Sequence, residues 1–159
     1  MIELLPLRRA VSADAGAVRA LTRAAYAKWA ALIGREPTPM TANYERAVGE
    51  HIFDLWEEDG QLLALIEVIP AAAHLLIEDI AVRPDQQRKG IGSKLLLHAE
   101  GLARSLGFDE TRLYTNAAFD SNLSFYSRRG YEEFCRGTVV PGSVTVYMAK
   151  KLRAARGLP

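Results

Sequence analysis

The sequence predicts an α/β fold with seven short strands and four helices in the order β, two α, three β, α, β, α, two β. Three observations carry it. Two apolar runs, 51–57 and 61–69, are joined at Asp59-Gly60, a strong hairpin signal. Ile91, Leu95, Leu96, Ala99, Leu102, Ala103 and Leu106 recur at helical spacing and stop at Gly107. Between them an apolar run, Leu75 to Val82, breaks at Pro84 and passes through Gly90 and Gly92 into that helix.

The elements follow in chain order. Residues 2–9 are apolar enough for a first strand, and Ser12 offers an N-cap for a helix that runs to about Ile33 and stops at Gly34. Its apolar face is Val18, Leu21, Ala25, Trp29 and Leu32. The stretch 34–40 holds Pro37 and Pro39 and reads as irregular, with a short helix from Thr41 to about Val48. The hairpin and Leu75 to Val82 then give three successive antiparallel strands. After the helix from Ile91 come a strand at 111–115, a helix at 121–129 closed by Gly130, and strands at 131–140 and 143–148 around Pro141-Gly142. Residues 1–150 read as one domain and 151–159 as a basic, solvated tail that begins near Lys150.

With 159 residues and 49% apolar content the chain can bury one core. Twenty Lys and Arg against 19 Asp and Glu leave a net charge of +1, so nothing in the overall charge attracts nucleic acid or an anionic membrane, and neither is expected as a partner. A lone cysteine, Cys135, allows no internal disulfide and reads as a small apolar filler. The start Met1-Ile2-Glu3-Leu4-Leu5 lacks a signal-peptide pattern and no run reaches membrane-spanning length, so a cytoplasmic protein is expected. His51, His74 and His98 show no metal-ligand spacing, and no metal is expected.

The segment 83–94 concentrates chemistry. A helix opening on glycines presents unpaired backbone N–H groups and the positive end of its dipole, which suits a phosphate-bearing ligand. Gly90-Ile91-Gly92-Ser93-Lys94 lacks the spacing of a nucleotide P-loop, and the third glycine of a dinucleotide fingerprint would fall on Leu95. What is left is a phosphate cradle of another kind, with charge from Arg83, Arg88, Lys89 and Lys94.

Gln87-Arg88-Lys89-Gly90-Ile91-Gly92 resembles the Gln/Arg-x-x-Gly-x-Gly/Ala signature of the GNAT superfamily of N-acetyltransferases, after a strand ending Ala-Val-x-Pro. Leu113-Tyr114-Thr115-Asn116 and the block Asn122 to Tyr131 extend the resemblance over residues 75–151. It implies the GNAT fold: a mixed, mostly antiparallel sheet splayed between strands four and five. It also implies acetyl-CoA as cosubstrate, direct transfer to a primary amine, and possible homodimers. In such a fold the pantetheine arm would pair with Ile80, Ala81 and Val82, and the diphosphate would sit on the amides of Arg88, Lys89, Gly90, Ile91, Gly92 and Ser93, with Gln87 framing the turn.

The resemblance further assigns Tyr126 as the donor to the departing thiolate, because a phenol stays protonated at neutral pH. Many members carry an asparagine seven residues before this tyrosine, where Phe119 stands here; Asn116 and Asn122 flank that position and either can contact the cofactor, Asn122 being equally a helix cap. Glu78-Asp79 looks like the diamine acetyltransferases, so Glu78 is read as base or water-holder and Asp79 as structural. Tyr26, Trp29, Ile33 and Met40 are either walls of the acceptor pocket or core. A small-molecule amine is the expected acceptor; a protein N-terminus or lysine, and a non-catalytic acyl-CoA-sensing domain, are the rival readings.

Overall fold

A computed structural model of the chain describes residues 5–153. Seven strands form a single sheet in the order β1-β2-β3-β4-β5-β7-β6. They are β1 (Arg8–Arg9), β2 (Ile52–Glu58), β3 (Gln61–Pro70), β4 (Leu75–Val82), β5 (Glu110–Asn116), β6 (Glu132–Gly137) and β7 (Thr145–Lys151). The helices are α1 (Ala15–Ile33), α2 (Thr38–Thr41), α3 (Tyr44–Glu50), α4 (Ile91–Ser105) and α5 (Asp120–Ser127). The sheet is mixed, because β4 and β5 are parallel whereas β1–β2, β2–β3, β5–β7 and β6–β7 are antiparallel. Register partners join β4 to β5 from Leu75↔Thr111 to Ile77↔Leu113, although β4 runs on to Val82 and β5 to Asn116.

The chain divides into two compact units, each described by itself. The first holds everything up to Ile69 together with Asp79–His98; the second holds Pro70–Glu78 and everything from Ala99. In the first, one face of α1 (Ala15, Val18, Leu21, Ala25) is buried with Tyr44 and Val48 of α3 and with Phe53, Leu55, Leu65 and Ala81 of the strands. Each fully buried aliphatic side chain of this kind contributes about 1.5–3 kcal/mol. Asp59 and Gly60, at φ 51° and 75°, turn β2 into β3 in the left-handed conformations that a two-residue hairpin requires. In the second unit Leu75, Ile77, Ala99, Ala103, Leu113, Phe119, Tyr131, Val146 and Met148 are buried.

Several local expectations are corrected. Of 2–9, only Arg8–Arg9 is a strand among the described residues. Ser12 does not cap α1; it opens a short 3₁₀ turn, Ser12–Asp14, and the Asp14 carboxylate accepts the Val11 N–H at 2.8 Å and both Arg8 Nη atoms. Residues 38–41 are not irregular. Pro39 sits in the first turn of α2, where its missing N–H would have had no helical partner, and the Tyr44 hydroxyl donates to the Pro39 carbonyl at 2.6 Å. The helix expected at 41–48 starts instead at Tyr44, capped by the Asn43 side chain.

Lys150 and Lys151, expected at the root of a basic tail, belong instead to β7, where they pair with Thr111 and Glu110 of β5. Lys150 is tied to the buried Glu100 at 2.8 Å, and residues 154–159 lie outside the described part. Cys135 is exposed, not apolar filler, because β6 lies at the end of the sheet.

One buried charge cluster yields a stability prediction. Asp54 of β2, 5% exposed, accepts from Arg9 Nε and pairs with His98 Nε2, both at 2.7 Å. Burial pushes its carboxyl up, but the hydrogen bonds and charges of His98 and Arg9 together outweigh burial and hold it below the usual carboxylate range. A carboxyl depressed in the folded state stabilises fully above its unfolded pKa of about 3.9, and that contribution fades as pH falls through the folded value. Asp54→Asn is therefore expected to destabilise by about 2 kcal/mol at pH ~6 and by clearly less at pH ~3, read from urea unfolding of both proteins. An equal gap at both pH values would contradict this assignment.

Candidate active site

In the first unit β4 leads straight into the glycine segment. The Arg83 N–H bonds to the Leu63 carbonyl at 2.8 Å, a 3₁₀ turn covers Pro84–Gln86, and the Gln87 side-chain amide donates back to the Val82 carbonyl at 2.9 Å. Gln87 Oε1 also accepts from Lys28 Nζ at 3.1 Å, which ties the turn to α1. Arg88 and Gly90 both take left-handed conformations, φ 65° and 80°. A left-handed arginine is uncommon, and such turns gather successive amides toward one point. The helix α4 begins at Ile91. A Cβ built on Gly90 would meet nothing within 4 Å, so the space beside this turn is open.

Arg88, Lys89 and Gly90 are exposed, Gly92, Ser93 and Lys94 half-buried, and Ile91 buried. Arg83 departs from its expected role: it is committed to Asp85 at 2.6 and 2.8 Å and to Gln61 at 2.9 Å, and Asp85 offsets its charge. Along β4 exposure alternates, with Asp79 and Ala81 buried and Glu78, Ile80 and Val82 half-buried, as a strand requires. Asp79 accepts from the Tyr26 hydroxyl at 2.5 Å, which fixes Tyr26 on α1 beside the strand. Trp29 lies half-buried under Lys28 Nζ at 4.9 Å, and Met40 is buried with its carbonyl held by Arg23.

In the second unit Glu78 accepts a short hydrogen bond from the Tyr114 hydroxyl of β5. Asn116 closes β5: its side-chain oxygen accepts the Ala118 N–H at 2.9 Å and its carbonyl accepts the Phe119 N–H. Phe119 caps α5 and is buried, so the position where an asparagine was sought is part of the packing. Asn122 lies inside α5 and is not its cap. Tyr126, half-buried on α5, meets Phe125 and Tyr131 edge-on at 5.3 and 6.0 Å. Tyr131 shares a hydrogen bond with Thr111 at 2.8 Å; burial, first of all, pushes its phenol well above the usual range.

Residues 18–131 match the family model described as the acetyltransferase (GNAT) family. The chain belongs to the GNAT acetyltransferase family. A curated relative, the spermidine N(1)-acetyltransferase of Thermoplasma acidophilum, is 31% identical over 74 residues, 46% of each chain, so the GNAT chain described here spans about half the length of that relative. Among solved structures, the PaiA N-acetyltransferase of Thermoplasma acidophilum in complex with coenzyme A superposes with a TM-score of 0.77 at 23% identity, covering 91% of this chain and 97% of that one. A GNAT-family acetyltransferase from Desulfovibrio desulfuricans gives 0.76 at 20% identity, with the same coverage. The Escherichia coli ribosomal-protein-S18-alanine N-acetyltransferase gives 0.72 at 19%, covering 96% and 97%. These similarities show the GNAT fold.

Two partnerships of this GNAT chain escaped the sequence. The sequence places Tyr26 as pocket wall or core without its bond to Asp79, and Tyr114 only within the strand that extends the resemblance, without its bond to Glu78. The signal for Tyr114 was its alternation on β5, but a parallel register is set by no turn and so could not place it level with Glu78.

Proposed function

We propose that this protein transfers the acetyl group of acetyl-CoA to a primary amine of a small molecule of the polyamine type, within a ternary complex. What supports this reading is β4 itself, which carries Glu78, Ile80, Ala81 and Val82 and leads into the left-handed turn at Arg88 and Gly90 ahead of α4. About 13 Å of strand separates Glu78 from Val82, a length along which a pantetheine arm can pair with backbone. The diphosphate would rest on the amides from Arg88 to Ser93, with Arg88, Lys89 and Lys94 supplying charge. Asn116 and Asn122 are assigned to the cofactor side, although the Asn116 oxygen already serves the turn into α5.

The acceptor nitrogen must be neutral to attack, so Glu78, or a water it holds, takes the proton of the bound ammonium and passes it to solvent, and the proton that the nitrogen loses as it bonds to the thioester carbonyl carbon leaves by the same route. The carbon–sulfur bond then breaks, and the Tyr126 phenol protonates the departing thiolate and is restored from solvent. A backbone N–H of β4 meets the transient oxyanion, and no step requires a metal. Tyr26, Trp29 and Met40 are assigned to the acceptor side. We assign residues 1–150 to one catalytic domain of a cytoplasmic protein.

The choice of a polyamine is supported by the relative named above and by the carboxylate, which favours a cationic acceptor. Thiol release should rise with a diamine or polyamine and stay at background with a neutral primary amide. Glu78→Gln should lower kcat for the amine by about 10²-fold with the acetyl-CoA KM unchanged. Turnover confined to peptide N-termini would replace the polyamine with a protein acceptor, and binding without turnover on any amine would favour a sensor.

A further inference from the structure

We infer that Tyr114 is a positioning residue that holds the Glu78 carboxylate in its working orientation; the inference rests on the reading of Glu78 as the base given above. The parallel register ends at Ile77↔Leu113, which brings the next residues, Glu78 and Tyr114, level on the two strands. There the phenol donates to Glu78 Oε1. Tyr114 is 37% exposed, so its hydroxyl could be satisfied by water, and the bond to Glu78 does not exist to rescue a buried polar group.

The phenol is itself braced. Tyr114 pairs with Tyr147 across β5 and β7, the two rings lying tilted at 6.0 Å and 43°, and Tyr147 meets Phe134 of β6 at 6.4 Å and 48°. Three rings across three adjacent strands thus fix where the hydroxyl sits. An unrestrained glutamate explores several rotamers and would have to be ordered at each encounter with substrate. Tyr114 moves that ordering into folding, which is how a supporting residue raises the rate without touching the reacting atoms. A carboxylate offers about four lone-pair sites, so one phenol donor leaves capacity for an ammonium or a water.

The test is a double-mutant cycle on the full chain with acetyl-CoA and spermidine, measuring kcat and both KM values for wild type, Tyr114→Phe, Glu78→Gln and the double variant. The expected result is a roughly 10-fold fall in kcat/KM for the amine in Tyr114→Phe, an unchanged acetyl-CoA KM, and a double variant no slower than Glu78→Gln alone. Tyr147→Leu, which removes the brace but keeps the phenol, should give a smaller fall that also vanishes in the Glu78→Gln background. A Tyr114→Phe enzyme at wild-type rate, or a loss that adds in full to that of Glu78→Gln, overturns the inference and leaves the proposed function standing. Glu78→Gln at wild-type rate removes the base and Tyr114 with it. A wild type that releases no CoA with any amine overturns the proposed function itself.

Discussion

Gly92→Val should weaken acetyl-CoA binding by more than about 10²-fold while leaving the protein folded. Gly92 is the second residue of α4, among the first-turn amides that have no partner within the helix and that the proposed diphosphate would occupy. A branched side chain there stands where the ligand must approach the backbone. Helix propensity does not oppose the change, because valine is a better helix former than the glycine it replaces. Gly101→Ala, in the same helix with nothing within 4 Å of the added Cβ, is the control and should bind normally. Calorimetric titration with acetyl-CoA, alongside a thermal melt, separates lost binding from lost folding, and normal affinity in Gly92→Val would sink the cradle.

The second large effect belongs to Tyr126→Phe, expected to lower kcat by about 10²-fold with acetyl-CoA affinity near wild type. Removing one oxygen keeps the edge-on contacts with Phe125 and Tyr131, so the packing of α5 should survive. The loss would be the proton for the thiolate. A phenol can deliver a proton to a leaving sulfur as charge develops. An unchanged kcat would take Tyr126 out of the mechanism, and a fall in affinity without a fall in kcat would make it a binding residue instead.

What was legible in the sequence was local. The Asp59-Gly60 turn, the limits of β4 and the apolar stripe of α4 each depend on residues a few positions apart, and the structure repeats them almost residue for residue. The left-handed turn before α4 was legible for the same reason, since Gly90 can take a positive φ at no steric cost. Partners that depend on distant chain were not. Lys150 looked like the root of a loose tail until β5 and the buried Glu100 gave it a place. Pro37 and Pro39 concealed the turn of α2, because proline breaks a helix interior but suits its first turn. Cys135 looked like filler because a sequence does not say which strand will be an edge.

On the proposed reaction the acetyl group leaves acetyl-CoA for the nitrogen of a small amine. This transfer is tested most directly by incubating the protein with carbon-labelled acetyl-CoA and spermidine and identifying the products by mass spectrometry. N-acetylated spermidine carrying the label should appear in amounts equal to the free CoA released. CoA release that spermidine and other amines fail to stimulate, with no label on any nitrogen, would contradict it.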